Sequence, residues 1–307
     1  MHKPLVSVIL PTFNRAYIVK RAIDSVLDQR YKNLELIIID DCSTDNTKKV
    51  VQSYSDKRVK YIVNAHNLGG AGSRNEGIKI AKGAFIAFQD SDDEWLPQKL
   101  EEQISILDQS PDEIGAIYCN FHSASDQKIH IYHSSKKEGD IHQELLVANF
   151  ITLPSLVVRK QSLKIVGLFD PDLPRLQDWD LLLRLSQRYK IGYTDKILLK
   201  TYFSPDSITA KSTAYTKALG MILDKYKEEF TRNKKIYAKH LFNLANNLSY
   251  EPGSAMKIKN CLLQAWKLHP AQLLYLFVFL ISLFGRKPYN YFLRNYKKTV
   301  KMQSDRL

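Results

Sequence analysis

The sequence predicts an α/β fold: a mainly parallel central sheet with helices on both faces, followed by a helical module at the C-terminus. Three observations carry this. Apolar runs of strand length alternate with helical patterns through the first 88 residues. Polar and acidic residues gather where those runs end. The charge balance then changes abruptly near residue 210. Residues 1–209 hold 27 basic and 27 acidic side chains, whereas residues 210–307 hold 18 basic and 5 acidic, so the whole excess of +13 lies in the last third.

The elements follow in order. Residues 5–10, LVSVIL, read as a strand ended by Pro11, and Ile18, Ala22, Val26 and Leu27 mark one face of a helix. Leu34–Ile39 is a second strand ending at Asp40 and Asp41, after which Ser43, Thr44 and Asp45 can cap a helix running through Val50 and Tyr54. Val59–Val63 is a third strand, Asn67 to Gly70 a turn, Ser73 to Lys82 a short helix, and Ala84–Phe88 a fourth strand ending in acid. Strands that alternate with helices need crossover connections, which make the sheet parallel and cover both of its faces.

At 307 residues and 44% hydrophobic composition the chain can bury a full core. Cys42, Cys119 and Cys261 are far apart in sequence, which encodes neither a disulfide framework nor a cysteine zinc site and suits a reducing compartment. The opening MHKPLVSVILPTFN lacks the apolar region and cleavage site of a secretory signal, which argues against export.

In the basic last third, Ala271–Gly285 is an apolar run with one Gln and one Ser, followed by Arg286, Lys287, Arg294, Lys297, Lys298 and Lys301. As a helix it reaches about 22 Å, short of the roughly 30 Å hydrocarbon core. It suits the interface of an anionic membrane, with Tyr275, Tyr289, Tyr291 and Tyr296 at its borders. A buried or dimer-forming helix produces the same run. Nucleic acid is not expected as a partner, because no aromatic-basic motif or zinc-finger spacing is present.

In parallel sheets, ligands bind beyond the carboxyl ends of the strands. Strand one delivers Pro11, Thr12, Phe13 and Asn14 to that edge, strand two Asp40 and Asp41, and strand four Asp90, Asp92 and Asp93. Carboxylates gathered at one edge repel one another, and a hard divalent ion with phosphate balances them. No Walker loop is present to support an ATPase.

Taken together, VSVILPTFN, LIIIDDCSTDNT, NLGGAGSRNEGI, FQDSDDEWLPQKLE and LQDWDLLLRL, in that order, resemble an inverting family 2 glycosyltransferase with the Rossmann-like, A-type nucleotide-sugar fold. The likeness spans residues 5–210, about two thirds of the chain. It implies a catalytic domain over 1–210 and leaves 211–307 as a membrane-association or oligomerisation module. It implies that Pro11, Thr12, Phe13 and Asp41 meet the nucleobase and ribose of the donor, with Asp41 accepting a uracil imide N–H, which favours UDP. Arg74 would neighbour the diphosphate. Asp90 and Asp92 would bind the donor, Asp92 and Asp93 its Mn²⁺ or Mg²⁺, and Asp178 would be the general base that accepts the acceptor's proton during inversion.

By the same resemblance Asp40 supports a turn, Asn67 and Asn75 order loops, and Asp180 caps or faces solvent. Two departures stand out: Gln177 replaces the acid that often precedes the base, and the histidine usual before the Ser207-Ile208-Thr209 segment is absent, leaving its task to Ser204, water or another residue. His122, His130, His133 and His142 read as surface or packing residues. The function implied is transfer of a sugar from a UDP-sugar to a glycan or lipid-linked acceptor, in surface polysaccharide biosynthesis, at the cytoplasmic face of the plasma membrane. The competing classes are a non-catalytic scaffold in a membrane assembly, which has no need for four converging carboxylates, and a nucleotidyltransferase, which needs a Gly-rich basic loop that PTFNRAY is not.

Overall fold

The computed structural model describes residues 3–125, 128–132, 137–202 and 212–304. Ser204 to Thr209 and His133, singled out above, lie outside the described residues. Two compact units are formed, one by Met1–Asp172 with Gln177–Ser207 and the other by Leu173–Leu176 with Ile208–Leu307.

The first unit alternates strand and helix as its sequence dictates: β1 (Val6–Thr12), α1 (Val19–Leu27), β2 (Leu34–Asp40), α2 (Thr47–Gln52), β3 (Val59–Val63), α3 (Gly69–Ile80) and β4 (Phe85–Phe88). There follow β5 (Glu94–Trp95), α4 (Lys99–Gln109), β6 (Ile114–Ser125), β7 (Lys128–Tyr132), α5 (His142–Val147), β8 (Val157–Arg159), α6 (Lys160–Val166), α7 (Gln177–Ser186) and β9 (Lys190–Tyr202). Among the described residues one sheet runs β3-β2-β1-β4-β8-β6-β9-β5, with β7 paired to β6.

The half of the sheet made by β3, β2, β1 and β4 is parallel, as the alternation requires. β8 then enters antiparallel between β4 and β6, and β9 runs parallel to β6, so the sheet as a whole is mixed. β1 and β2 are buried along nearly their whole length because both faces are covered. On one face Val6, Val8, Leu10, Leu36 and Ile38 pack with Val19, Ala22, Ile23 and Val26 of α1 and with Leu100, Ile104 and Leu107 of α4. On the other, α3 lies so close that a Cβ on Gly77 would sit 2.6 Å from Ile9 Cγ2.

Two boundaries differ from the sequence expectation. β1 continues through Pro11 to Thr12, because β4 stops opposite Ile9 while β2 stays paired as far as Thr12. Beyond the end of β4, the N–H that proline lacks has no ladder partner to lose. Helix α3 begins at Gly69, four residues before Ser73, for a reason that lies in the site itself.

The second unit is helical: α8 (Ser212–Lys225), α9 (Lys227–Arg232), α10 (Lys234–Leu248), α11 (Ala255–Leu268), α12 (Leu273–Leu283) and α13 (Arg286–Ser304). Asn233 caps α10 by accepting from Ile236 N at 3.3 Å. Tyr289 of α13 donates to Asn246 Oδ1 of α10 at 3.0 Å, and Tyr275 of α12 packs on Phe242 with ring centroids 4.9 Å apart. Among the described residues no helix is long and apolar enough to cross a membrane.

Candidate active site

The loop leaving β1 is stitched to the loop leaving β2. Asn14, in the left-handed region at φ 52°, accepts from Thr44 N at 2.7 Å through its side chain and donates its own N–H to Ser43 Oγ at 2.8 Å. Asp45 accepts from Ala16 N and from Thr47 N, tying the start of α2 to the same loop. This leaves Phe13 about half exposed above the strand ends, while Thr12 is buried with its Oγ1 lacking a hydrogen-bond partner.

Asp41 explains the early start of α3. It is buried; its Oδ1 accepts from Leu68 N and Asn64 Nδ2, both at 2.8 Å, and its Oδ2 accepts from Gly69 N at 2.8 Å. A carboxylate brought from the end of β2 thus satisfies the first donors of α3, a cap that no local motif encodes. Since an ionised carboxylate offers about four lone-pair sites, Oδ2 keeps room for one further donor. Asp40, as expected, serves the turn: it accepts from Ser43 N at 2.7 Å and from the Tyr61 hydroxyl. Asn67 donates to Asp41 O, and Asn75 makes a two-way pair with the backbone of Phe169, at 2.8 and 3.0 Å.

Helix α3 points Arg74 at the loop after β4. Its Nη2 meets Asp90 Oδ1 at 2.6 Å, its guanidinium lies 5.8 Å from the Phe169 ring centroid, and its buried Nε has no hydrogen-bond partner. Asp92 and Asp93 follow Asp90 in this loop. Burial first, and then the Asp90 charge, push the Asp92 carboxyl above its ordinary range, while Arg15 and Arg21 oppose that shift. Asp93 is held well above its ordinary value by burial and by both neighbouring aspartates, against a hydrogen bond from the Tyr202 N–H. Asp92 is the more accessible of the two. Arg21 braces the loop: it donates to Asp92 O and stacks 3.6 Å from the Tyr202 ring centroid.

Asp178 is the second residue of α7 and is half-buried. Asn149 Nδ2 donates to its Oδ2 at 2.9 Å. Burial raises the Asp178 carboxyl above its ordinary range and Asp90 adds to this, whereas the Trp179 N–H, the Arg74 charge and Asn149 pull it back. The structure therefore brings Asp178, Arg74 and Asp90 into one electrostatic cluster. Asp180 has a different fate from the capping or solvated role expected. It is fully buried and paired with Arg184 at 2.8 Å, and Arg184 also donates to the carbonyls of Val166, Gly167 and Leu168.

Sequence reading missed Asn149, Arg15, Arg21 and Phe169. Arg15 directly follows the string ending at Asn14, whereas Asn149, Arg21 and Phe169 sit in no motif and reach the site only through tertiary contacts. Of the histidines, His142 Nδ1 lies 2.8 Å from Ser186 Oγ, and His122 Nδ1 is buried without a hydrogen-bond partner.

A divalent cation fits the Asp90–Asp93 loop by the chemistry of its donors. Among the described residues no group of three or more His, Cys, Asp or Glu could cage an ion alone. The Asp92 and Asp93 carboxyls, pushed toward protonation by burial and then by the Asp90 charge, instead match an ion that completes its shell with water and phosphate oxygens.

An uncharacterized glycosyltransferase of Rickettsia typhi is 34% identical over 208 residues, 65% of this chain and 64% of that protein. The Escherichia coli UDP-Glc:alpha-D-GlcNAc-diphosphoundecaprenol beta-1,3-glucosyltransferase WfgD is 43% identical over 125 residues, 41% of this chain and 49% of its own length. The chain thus spans less than two thirds of these relatives. The crystal structure of Staphylococcus aureus TarS 1-349 in complex with UDP-GlcNAc matches 96% of this chain and 92% of that one with a TM-score of 0.70 at 19% identity, a likeness of fold. The family model for glycosyl transferase family 2 matches residues 7–164. With more than half of its length inside that match, the chain belongs to glycosyl transferase family 2.

Proposed function

We propose that this chain moves a sugar from a UDP-sugar to a hydroxyl of a glycan or lipid-linked acceptor, with inversion, in the building of a surface polysaccharide. The observation that carries this reading is the Asp178 carboxylate. One of its oxygens is held by Asn149, its pKa is raised by burial, and Arg74 links it electrostatically to the acidic loop at Asp90. A base of raised pKa is a better proton acceptor, and the Asn149 bond fixes the orientation in which the carboxylate meets the acceptor.

Each residue then has a task. Pro11, Thr12 and Phe13 receive the nucleobase and ribose, and the spare acceptor site on Asp41 Oδ2 suits the uracil imide. Arg74 brings its positive charge to the diphosphate, and Asp90 and Asp92 hold the donor. Asp92 and Asp93 would hold Mn²⁺ or Mg²⁺. When bound, that ion supplies positive charge to the departing diphosphate oxygens. The acceptor oxygen forms its bond to the anomeric carbon as the bond to UDP breaks on the opposite face, and its proton passes to Asp178.

Residues 1–210 perform this chemistry, and 211–307 form the association module, for a membrane or for other copies of the chain. The name of the E. coli relative, which acts on a diphosphoundecaprenol-linked sugar, supports a lipid-linked acceptor, and we place the reaction at the cytoplasmic face of the plasma membrane. Incubating the purified chain with Mn²⁺, acceptor and a panel of nucleotide sugars tests the reading by UDP release. Asp178→Asn is expected to cut transfer by at least about a hundredfold while donor binding persists. Transfer unaffected by that substitution, or no donor turned over, would overturn it.

A further inference from the structure

Helix α12 is apolar on the wrong side. Its sequence, LLYLFVFLISL, contains one polar residue besides Tyr275, and that residue, Ser282, is buried with its hydroxyl donating to Phe279 O at 2.6 Å. Tyr275, Val278 and Ser282 face inward at helical spacing. The opposite stripe, at i, i+4, i+7 and i+11, is Leu273 at 70% exposure, Phe277 at 53%, Leu280 at 46% and Phe284 at 82%. A helix at a water-facing surface normally turns polar side chains outward. Four large apolar side chains on one line form a patch that marks an interaction surface.

The charge around this stripe selects its occupant. From Pro252 to Ser304 the chain has no Asp or Glu and nine Lys and Arg. Directly after α12, Lys287, Tyr291 and Arg294 recur at i, i+4 and i+7 on the exposed side of α13, whose Tyr289 and Leu293 are buried. A second copy docked on the same stripe would bring the exposed Lys287 and Arg294 of one copy against the like charges of the other. An acidic lipid surface meets the same charge with its opposite and accepts the apolar stripe among its acyl chains. At 11 residues α12 is about 16 Å long, so it lies along such a surface and does not cross it.

We propose that the Leu273–Phe277–Leu280–Phe284 face inserts into the headgroup and upper acyl region of an anionic bilayer, with Lys287 and Arg294 on the lipid phosphates and Tyr291 at the interface. This rests on reading residues 211–307 as an association module, and it decides between the two uses of that module. It is independent of whether the first unit transfers sugar.

The test is flotation of the full chain with vesicles of phosphatidylcholine alone or mixed with phosphatidylglycerol. Wild type is expected to partition at least about tenfold better onto the mixed vesicles, with the preference falling as salt rises. Leu273→Asp with Phe284→Asp is expected to lower that partitioning about tenfold or more, with unchanged circular dichroism and thermal midpoint, because both side chains are already exposed. Ile165→Asp, an exposed apolar site in the first unit, controls for general effects and should leave flotation intact. A Phe284→Trp variant should show fluorescence quenched by brominated lipid.

Binding that ignores the double substitution, or that is equal on neutral vesicles, would overturn the proposal. So would a wild type that fails to float but self-associates in sedimentation through the same face. UDP release measured in parallel keeps failure here separate from failure of the catalytic reading.

Discussion

Asn149 donates from Nδ2 to Asp178 Oδ2 at 2.9 Å, so a loop residue 29 positions away fixes one oxygen of the proposed base. That bond also favours the ionised carboxylate, against the burial that raises its pKa. Asn149→Ala is expected to lower kcat by about tenfold with little change in the donor KM, since orientation and not binding is lost. The sign of the pH effect follows. With the bond gone the Asp178 pKa rises further, so the acidic limb of the rate profile moves to higher pH. A limb that stays put would assign Asn149 to loop structure alone.

Arg74 stands between Asp90, at 2.6 Å, and the field at Asp178. Arg74→Met is expected to raise the donor KM about tenfold or more and to shift the same acidic limb upward, because a positive charge that lowers the Asp178 pKa has gone. Arg74→Lys should restore the limb but not the KM, since an ammonium keeps the charge and loses the planar fork. Initial-rate kinetics across pH separate the two effects.

Asp178 and Asp180 should part company in experiment. Asp180→Ala leaves Arg184 without its buried partner and is expected to cost about 3 kcal/mol of stability. Transfer per folded molecule should stay near wild type, whereas Asp178→Asn should show the reverse. Denaturant unfolding beside activity makes the comparison.

Lys99 is fully buried, 4.1 Å from the Trp95 ring centroid, with its Nζ donating to Gln103 Oε1 at 2.7 Å. Burial lowers its pKa to about 8 from 10.5. The folded state therefore binds fewer protons than the unfolded chain between those values. Stability from this group rises with pH through that window and is lost as pH falls through it. At pH 7 the buried charge costs about 3 kcal/mol. Lys99→Met is expected to stabilise the protein by about 2 kcal/mol at pH 7, with the advantage shrinking toward pH 10. Cys119 is coupled to this lysine: burial pushes its thiol up to about 12 and the Lys99 charge lowers it, so Lys99→Met raises it further, away from the pH 7 to 10 window in which the two proteins are compared.

What the sequence discloses is what local pattern controls. β1 to β4 and the helix α1 are legible because apolar runs and a 3.6-residue spacing are set by neighbours in the chain, whereas α7 is legible only through the family string LQDWDLLLRL. The antiparallel entry of β8 and the pairing of β5 with β9 are not, since they depend on partners about 70 to 105 residues away. The same division holds at the site. Asp41, Arg74 and Asp90 through Asp93 stand in recognisable strings, but Asn149 stands in none. Nothing local tells Asp178 from Asp180; burial against Arg184 does.

The carboxylate of Asp41 has an effect that outruns its own contacts. By accepting from Leu68 N and Gly69 N it decides at which residue α3 starts to wind. Each residue of an α-helix turns by about 100°. Arg74 lies five residues past Gly69, in the second turn, so a first turn frayed by loss of that acceptor would leave the guanidinium on a less rigid base from which to meet Asp90. The steadiness of a cation on one element is thereby underwritten by an anion on another, and a variant at position 41 would blur two readouts at once, the proposed donor recognition and the order of the helix's opening turn.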